Sequence, residues 1–182
     1  TVAARLAVLG GHSGRSQSFA TASSQYGTTP DVASLTFGNG IVDTALSIVV
    51  LANVTDVAVG RVLVGKTNVS NNEWMCTVSA TDILTLTLFD SLQAVSANRA
   101  SNAAISMGAY HLYGITYDGS GGATAMNGVA LYVDGAAIAS TANNNAAYIA
   151  MGDLAAVCDI GAATNHTSSF FEGSMALVLV TG

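Results

Sequence analysis

Short runs rich in Val, Ile, Leu, Thr and Tyr recur along this chain, each bounded by Gly, Asn, Asp or Ser, and helical periodicity is nearly absent. Runs of that length and make-up, closed by turn residues, suit strands and leave nothing long enough for an amphipathic helix. The pattern predicts strands near 17–27, 45–53, 59–66, 73–79, 83–89, 109–117, 128–134, 136–141, 156–161 and 170–180. In "GVALYVDGAAIAS" two apolar runs are separated only by Asp134-Gly135. Both residues tolerate positive φ, so a tight two-residue hairpin is expected there. "DGSGGATAMNG" reads as a flexible glycine-rich connection. The single proline, Pro30, falls in the loop "GTTPDVAS", where it removes no ladder bond. Many strands, antiparallel turns and no crossover helices imply an all-β, two-sheet antiparallel β-sandwich or jelly roll. Residues 1–15 read as an amino-terminal arm and 16–182 as the domain.

Composition narrows the function classes. Apolar residues make up 51% and charged residues 9%, with a net charge of −6 from one lysine, four arginines and eleven acids. No basic stripe exists, so a nucleic-acid partner is not expected. The most apolar region, "ALSIVVLANVTDVAVGRVLVGK", is interrupted by Asn53, Asp56 and Arg61 and is too broken to span a membrane as a helix. "TVAARLAVLGG" is too short an apolar stretch for a secretion signal. Cys76 and Cys158 lie far apart, which excludes a CxxC pair, and both sit at inward positions of apolar runs. Two buried thiols are favoured over a disulfide.

Four segments in order carry a family resemblance. They are "SFATASSQYGTTPDVASLTFGNG", "RVLVGKTNVSNNEWMCTVSATDILTLTLFD", "GAYHLYGITYDGSGG" with "GVALYVDGAAIAS", and "CDIGAATNHTSSFFEGSMALVLV". Over about residues 16–181 the chain resembles the concanavalin A-like lectin/glucanase superfamily, in its laminin G-like jelly-roll branch. The resemblance implies a concanavalin A-like jelly roll, and it brings several chemistries to test, because a fold does not fix a function.

Glucanases of the superfamily need paired carboxylates in a Glu-x-Asp-x-x-Glu strand. Here only Glu73 and Glu172 are present, in different segments and without acidic neighbours at that spacing. No catalytic residue is assigned, and no hydrolase is expected. His12 and Ser13 are adjacent and cannot face each other, His166 has no clustered partner, and His111 is expected inside the sheet as a hydrogen-bonded core residue. Calcium needs six to eight converging oxygens. The acids are dispersed, and Asp118 and Asp134 fit hairpin corners better than metal ligands. Neither a metal nor another cofactor is expected. For a sugar, an exposed aromatic beside amides is required, and Trp74 with Asn71 and Asn72 is the one candidate. Against it, Trp74, Cys76 and Val78 alternate on one strand face, which is a core pattern.

The departures from the relatives concern charge. Lysines on the outward positions of the hairpin are replaced by Ala130 and Ala136 or Ala137. The closing strand has Ala176, Leu177 and Leu179 where relatives carry charges, and Val49 stands where a small polar residue is common. Apolar outward positions of this kind mark protein–protein contact. Val49, Ala130, Leu177 and Leu179 are therefore expected to form an interface for self-association, or for a major capsid or other virion protein. By analogy with laminin G-like jelly rolls in bacteriophage virions, the first expectation is a non-enzymatic structural part at the virion surface, such as a capsid decoration protein, with room for host glycan contact. The alternative is a secreted carbohydrate-binding lectin module, with or without calcium.

Overall fold

The computed structural model describes residues 16–55, 59–163 and 167–182, together with the backbone of 5–7. Its strands are β1 (Arg5–Ala7), β2 (Gln17–Phe19), β3 (Gly27–Thr29), β4 (Leu46–Val54), β5 (Arg61–Thr67), β6 (Asn72–Val78), β7 (Leu84–Asp90), β8 (Val95–Ser101), β9 (Tyr110–Tyr117), β10 (Val129–Val133), β11 (Ala136–Ala137), β12 (Ser140–Asn143), β13 (Cys158–Ile160) and β14 (Gly173–Thr181). They build two antiparallel sheets, as the sequence pattern implies. The first runs β1-β14-β4-β9-β10-β11, with β2 also on β14, and the second runs β12-β8-β7-β6-β5-β13-β3.

Alternation decides which side chains fill the space between the sheets. In β4, Leu46, Ile48, Val50, Ala52 and Val54 are buried and the residues between them are half-buried. Opposite them stand Tyr113, Ile115 and Tyr117 of β9 and Val178 and Val180 of β14. The second sheet contributes Trp74, Cys76 and Val78, paired with Leu88, Leu86 and Leu84. All of these belong to one apolar cluster. Cys76 and Cys158 are both free and buried, and loss of hydration pushes both thiols up to about 12.

The hairpin at Asp134-Gly135 has φ values of 53° and 81°, the mirror-image turn that its composition demands. Its Asp134 Oδ1 accepts the Leu112 N–H at 2.9 Å. Asp118 closes its own turn, accepting the Ser120 N–H at 2.9 Å. A Cβ on Gly128 would collide with that carboxylate, so any larger residue there would have to displace the Asp118 side chain.

Several expectations need correction. The strand expected at 17–27 is two short strands, β2 and β3, separated by a 3-10 turn at Thr21–Ser23. The Thr21 N–H is captured at 2.6 Å by Glu172 Oε2, from the far end of the chain. The connection "GGATAMNG" is a 3-10 segment over Gly122–Gly128 that buries Ala125 and Met126, not a flexible link. The run expected at 136–141 splits between the sheets, β11 in the first and β12 in the second. Strand β8 was not expected at all. Within the segment read as an arm, Arg5–Ala7 pairs with Val178–Val180 of β14. Residues 1–4 and 8–15, including His12 and Ser13, lie outside the described residues, as does His166.

Candidate glycan-binding face

Strand β6 presents opposite chemistry on its two sides. Trp74 is fully buried, its indole N–H donates to the Leu35 carbonyl at 3.0 Å, and its ring lies 6.0 Å from Phe37. The expectation that Trp74 offers a sugar an exposed ring is therefore overturned, because its place in the alternation turns it inward with Cys76 and Val78. Asn71 and Asn72 remain at the surface, both half-buried. Asn68 Oδ1 accepts the N–H groups of Ser70 and Asn71 at 2.8 and 2.6 Å, which folds "NVSNN" into the turn between β5 and β6. Ser91 Oγ donates to the Asn72 carbonyl at 2.8 Å and fixes the start of β6 against the end of β7.

That arrangement leaves an open groove of about 300 Å³ at the end of the second sheet. Asn72, Ser70, Ser91 and Ser96 supply polar groups, and Phe89 and Val95 supply half-buried apolar surface. Phe89 pairs with Ser96 across β7 and β8, and both face outward. From this groove an outer face continues through Met75 and Thr87, then Asn98, then Asn143, by direct register pairs. The next row is Thr77, Thr85, Ala100 and Thr141. Asn143 Nδ2 donates to Asn98 Oδ1 at 2.9 Å, so the two amides hold each other in place. No ionisable side chain lies among these outward positions.

The aromatic in this groove is Phe89, which the sequence reading missed along with Ser91, Ser96 and the face formed by β8. One signal was available. Phe89 is the outward partner in "LTLTLFD", where Leu84, Leu86 and Leu88 alternate inward.

The first sheet carries a different outer face. Val49 pairs directly with Leu179, and Leu51 pairs with both Leu177 and Leu112. The structure thus brings Val49, Leu177 and Leu179 together and adds Leu51 and Leu112, the last 38% exposed. Ala130 is on the same side, but its row is Thr116 and Ser47. It borders the aliphatic band without belonging to it.

The remaining polar candidates are held in structural networks. Glu73 and Lys66 are both fully enclosed, 2.7 Å apart. Glu172 is occupied by Thr21. His111 is half-buried at the sheet end with Nδ1 2.7 Å from Asp134 Oδ2, not inside the core as expected. That contact and the Leu112 N–H hold the Asp134 carboxyl below its usual range, the backbone bond being the larger cause. Among the described residues no three His, Cys, Asp or Glu side chains are grouped to hold a metal ion.

No protein-family model matches the chain, and no curated protein matches it. Solved structures do. The CBM40 of the Ruminococcus gnavus IT-sialidase, bound to α2,3-sialyllactose, has a TM-score of 0.56 at 13% identity, over 86% of this chain and 90% of that one. A mutant of the NanB sialidase from Streptococcus pneumoniae gives 0.58 at 12% identity, over 91% of this chain and 25% of that one. The binding domain of botulinum neurotoxin DC, in complex with rat synaptotagmin II, gives 0.50 at 10% identity, over 76% of this chain and 32% of that one. At such identities the likeness speaks to architecture alone, and the architecture is an antiparallel two-sheet β-sandwich.

Proposed function

We propose that this chain is a carbohydrate-binding module for neutral glycans, using the groove around Asn72 and Phe89 and the uncharged outward positions of β6, β7, β8 and β12. The observation that carries the reading is the combination of a half-buried aromatic with amides and hydroxyls and no charge. A sugar ring has an apolar face that covers an aromatic side chain and a rim of hydroxyls that both donate and accept. Asn, Ser and Thr can answer each of those groups. The solved CBM40 is bound to an acidic sugar, and that chemistry does not transfer to these residues. A carboxylate needs a cation or several donors, and the cations with described side chains are Lys66, Arg61 and Arg99. Lys66 and Arg61 are buried, and Arg99 is committed to Ser140 and the Met126 carbonyl.

Retention of the purified chain on immobilised neutral oligosaccharides and on sialyllactose tests the reading. Neutral glycans should retain it and sialyllactose should add nothing. Phe89→Ala and Asn72→Ala should each weaken retention about tenfold, the loss of one good contact of about 1.4 kcal/mol, with melting unchanged. Failure of every neutral glycan to retain the chain would end the proposal.

A second reading, a virion assembly part, draws on the band of Val49, Leu51, Leu112, Leu177 and Leu179 across β14, β4 and β9. A neutral aliphatic face would associate slowly and with little salt dependence. Replacing Leu177 with Glu and Leu179 with Arg should leave melting nearly unchanged and abolish any self-association seen by sedimentation, since a buried unpaired charge is costly. A parent that sediments as a monomer at all concentrations would remove self-association through this face.

A further inference from the structure

We propose that Lys66 and Asp31 become joined by an amide bond between their side chains, with Glu73 carrying the proton. The three groups come from separate elements: Asp31 from the loop after β3, Lys66 from β5 and Glu73 from β6. Lys66 Nζ lies 2.9 Å from Asp31 Oδ1 and 2.7 Å from Glu73 Oε1. It also donates to Thr36 Oγ1 at 2.6 Å and approaches the Leu154 carbonyl at 3.5 Å. Lys66 and Glu73 are fully enclosed, and the Asp31 side chain is 41% exposed at the mouth of the cluster.

This geometry differs from an ordinary ion pair in two respects. One enclosed amine is shared by two carboxylates, and one of them, Glu73, is enclosed with it where separated charges are poorly solvated. One carboxylate oxygen, Glu73 Oε2, is buried without a hydrogen-bond partner among the described residues, while Oε1 accepts from Lys66 and from the Leu154 N–H at 3.0 Å. Glu73 thus has an acceptor with nothing to accept. Burial pushes its carboxyl up to about 7 against the opposing pull of Lys66, which suits a group that takes and returns a proton near neutrality.

The step balances without any co-reactant. Lys66 Nζ passes a proton to Glu73 Oε1, and the neutral amine attacks the Asp31 carboxyl carbon, one bond behind Oδ1. The bond from that carbon to one carboxylate oxygen breaks. Two of the three Nζ protons leave with this oxygen as water, one of them through Glu73. An ammonium and one carboxylate disappear together, so net charge is unchanged, and Glu73, having returned its proton, is left as the one ionisable side chain of the three. Condensation is unfavourable between free groups in water, but holding the reactants at contact distance is equivalent to an effective concentration of up to about 10⁵–10⁸ M. The open side of Asp31 gives the water its exit. The product would tie the loop behind the edge strand β3 to β5, a neighbour but one in the sheet.

Intact-mass measurement of the purified full chain, followed by peptide mapping, tests this. The expected mass is below the sequence mass by one water, about 18 Da, and digestion should yield a branched peptide containing Asp31 and Lys66. Lys66→Met and Asp31→Ala should both restore the full mass. If Lys66→Met fails to fold, the exposed Asp31 variant still decides. Glu73→Gln keeps the shape and should leave the two side chains unjoined. A parent at full sequence mass after incubation at neutral pH overturns the proposal. So does a water loss mapped to a linear peptide at Asp118-Gly119 or Asp134-Gly135, where a cyclic imide would give the same deficit. Joining in Glu73→Gln at the parent rate removes Glu73 from the step.

Discussion

Trp74→Ala should destabilise the fold by about 3–5 kcal/mol, as read by urea unfolding of the variant beside the parent. The side chain is fully buried between the sheets, packs on Phe37 and is paired in register with Leu88. Truncation opens a cavity larger than its neighbours can close, and it strands the Leu35 carbonyl that accepts the indole N–H. Trp74→Phe separates the two terms. It keeps most of the packing and loses the hydrogen bond, so about 1–3 kcal/mol should remain lost. Trp74 is the only tryptophan, which gives the glycan proposal an internal control. Its emission should be that of a buried indole and should not respond to a neutral sugar that binds at Phe89. A loss below about 1 kcal/mol for Trp74→Ala would put the residue outside the core, and its face assignment would reverse.

The inward place of Trp74 was legible because Cys76 and Val78 repeat it at a period of two, and period two fixes the face once one member is known. The β10–β11 hairpin was legible for a similar reason, since Asp134-Gly135 can hardly be anything except a tight turn between two apolar runs. Strand β8 was not. Its inward positions are Ala97, Arg99 and Ser101, and an inward arginine hides the alternation. Arg99 is tolerated there because the 3-10 segment above it offers the Met126 carbonyl and β12 offers Ser140. Neither partner is near it in the chain. The break in 17–27 has the same origin, because Glu172 reaches Thr21 from 151 residues away. For the candidate site, Asn72 could be named from the sequence as a polar residue flanking a strand. Phe89 could not be joined to it, because their meeting depends on Ser91 pinning β6 to β7. The Lys66 cluster was invisible because "VGKTNVSNNEWM" gives no sign that both charges are enclosed. Bulges between Val62 and Val64 and between Lys66 and Thr67 shift the register there, and they break the alternation on which the sequence reading relied.

Asp43→Ala should cost about 3–5 kcal/mol, because it strands three donors at once. Tyr117 Oη and Tyr148 Oη donate to Asp43 Oδ2 at 2.7 and 2.9 Å, and the Met151 N–H donates to Oδ1 at 2.7 Å. Tyr117 Oη in turn accepts the Gly121 N–H at 2.7 Å. One carboxylate therefore fastens the loop ahead of β4, the end of β9 and the loop around Tyr148 to each other. Asp43→Asn keeps an acceptor for Met151 and presents an N–H that the tyrosine hydroxyls can turn to accept, so its deficit should be about 1–2 kcal/mol. The two substitutions also differ with pH. Burial raises the Asp43 carboxyl above its usual range, its three hydrogen bonds oppose that shift, and Asp90 adds to it. The folded protein therefore holds this proton to a higher pH than the unfolded chain does. The contribution of Asp43 is complete below the ordinary carboxylate range and declines as pH rises through the folded value. Asn cannot titrate, so the gap between the parent and Asp43→Asn should narrow as pH rises from the acid side of that range. Unfolding measured in parallel across that interval checks the sign. A gap that widens with pH would mean that the hydrogen bonds outweigh burial and that the carboxylate is the preferred form in the fold.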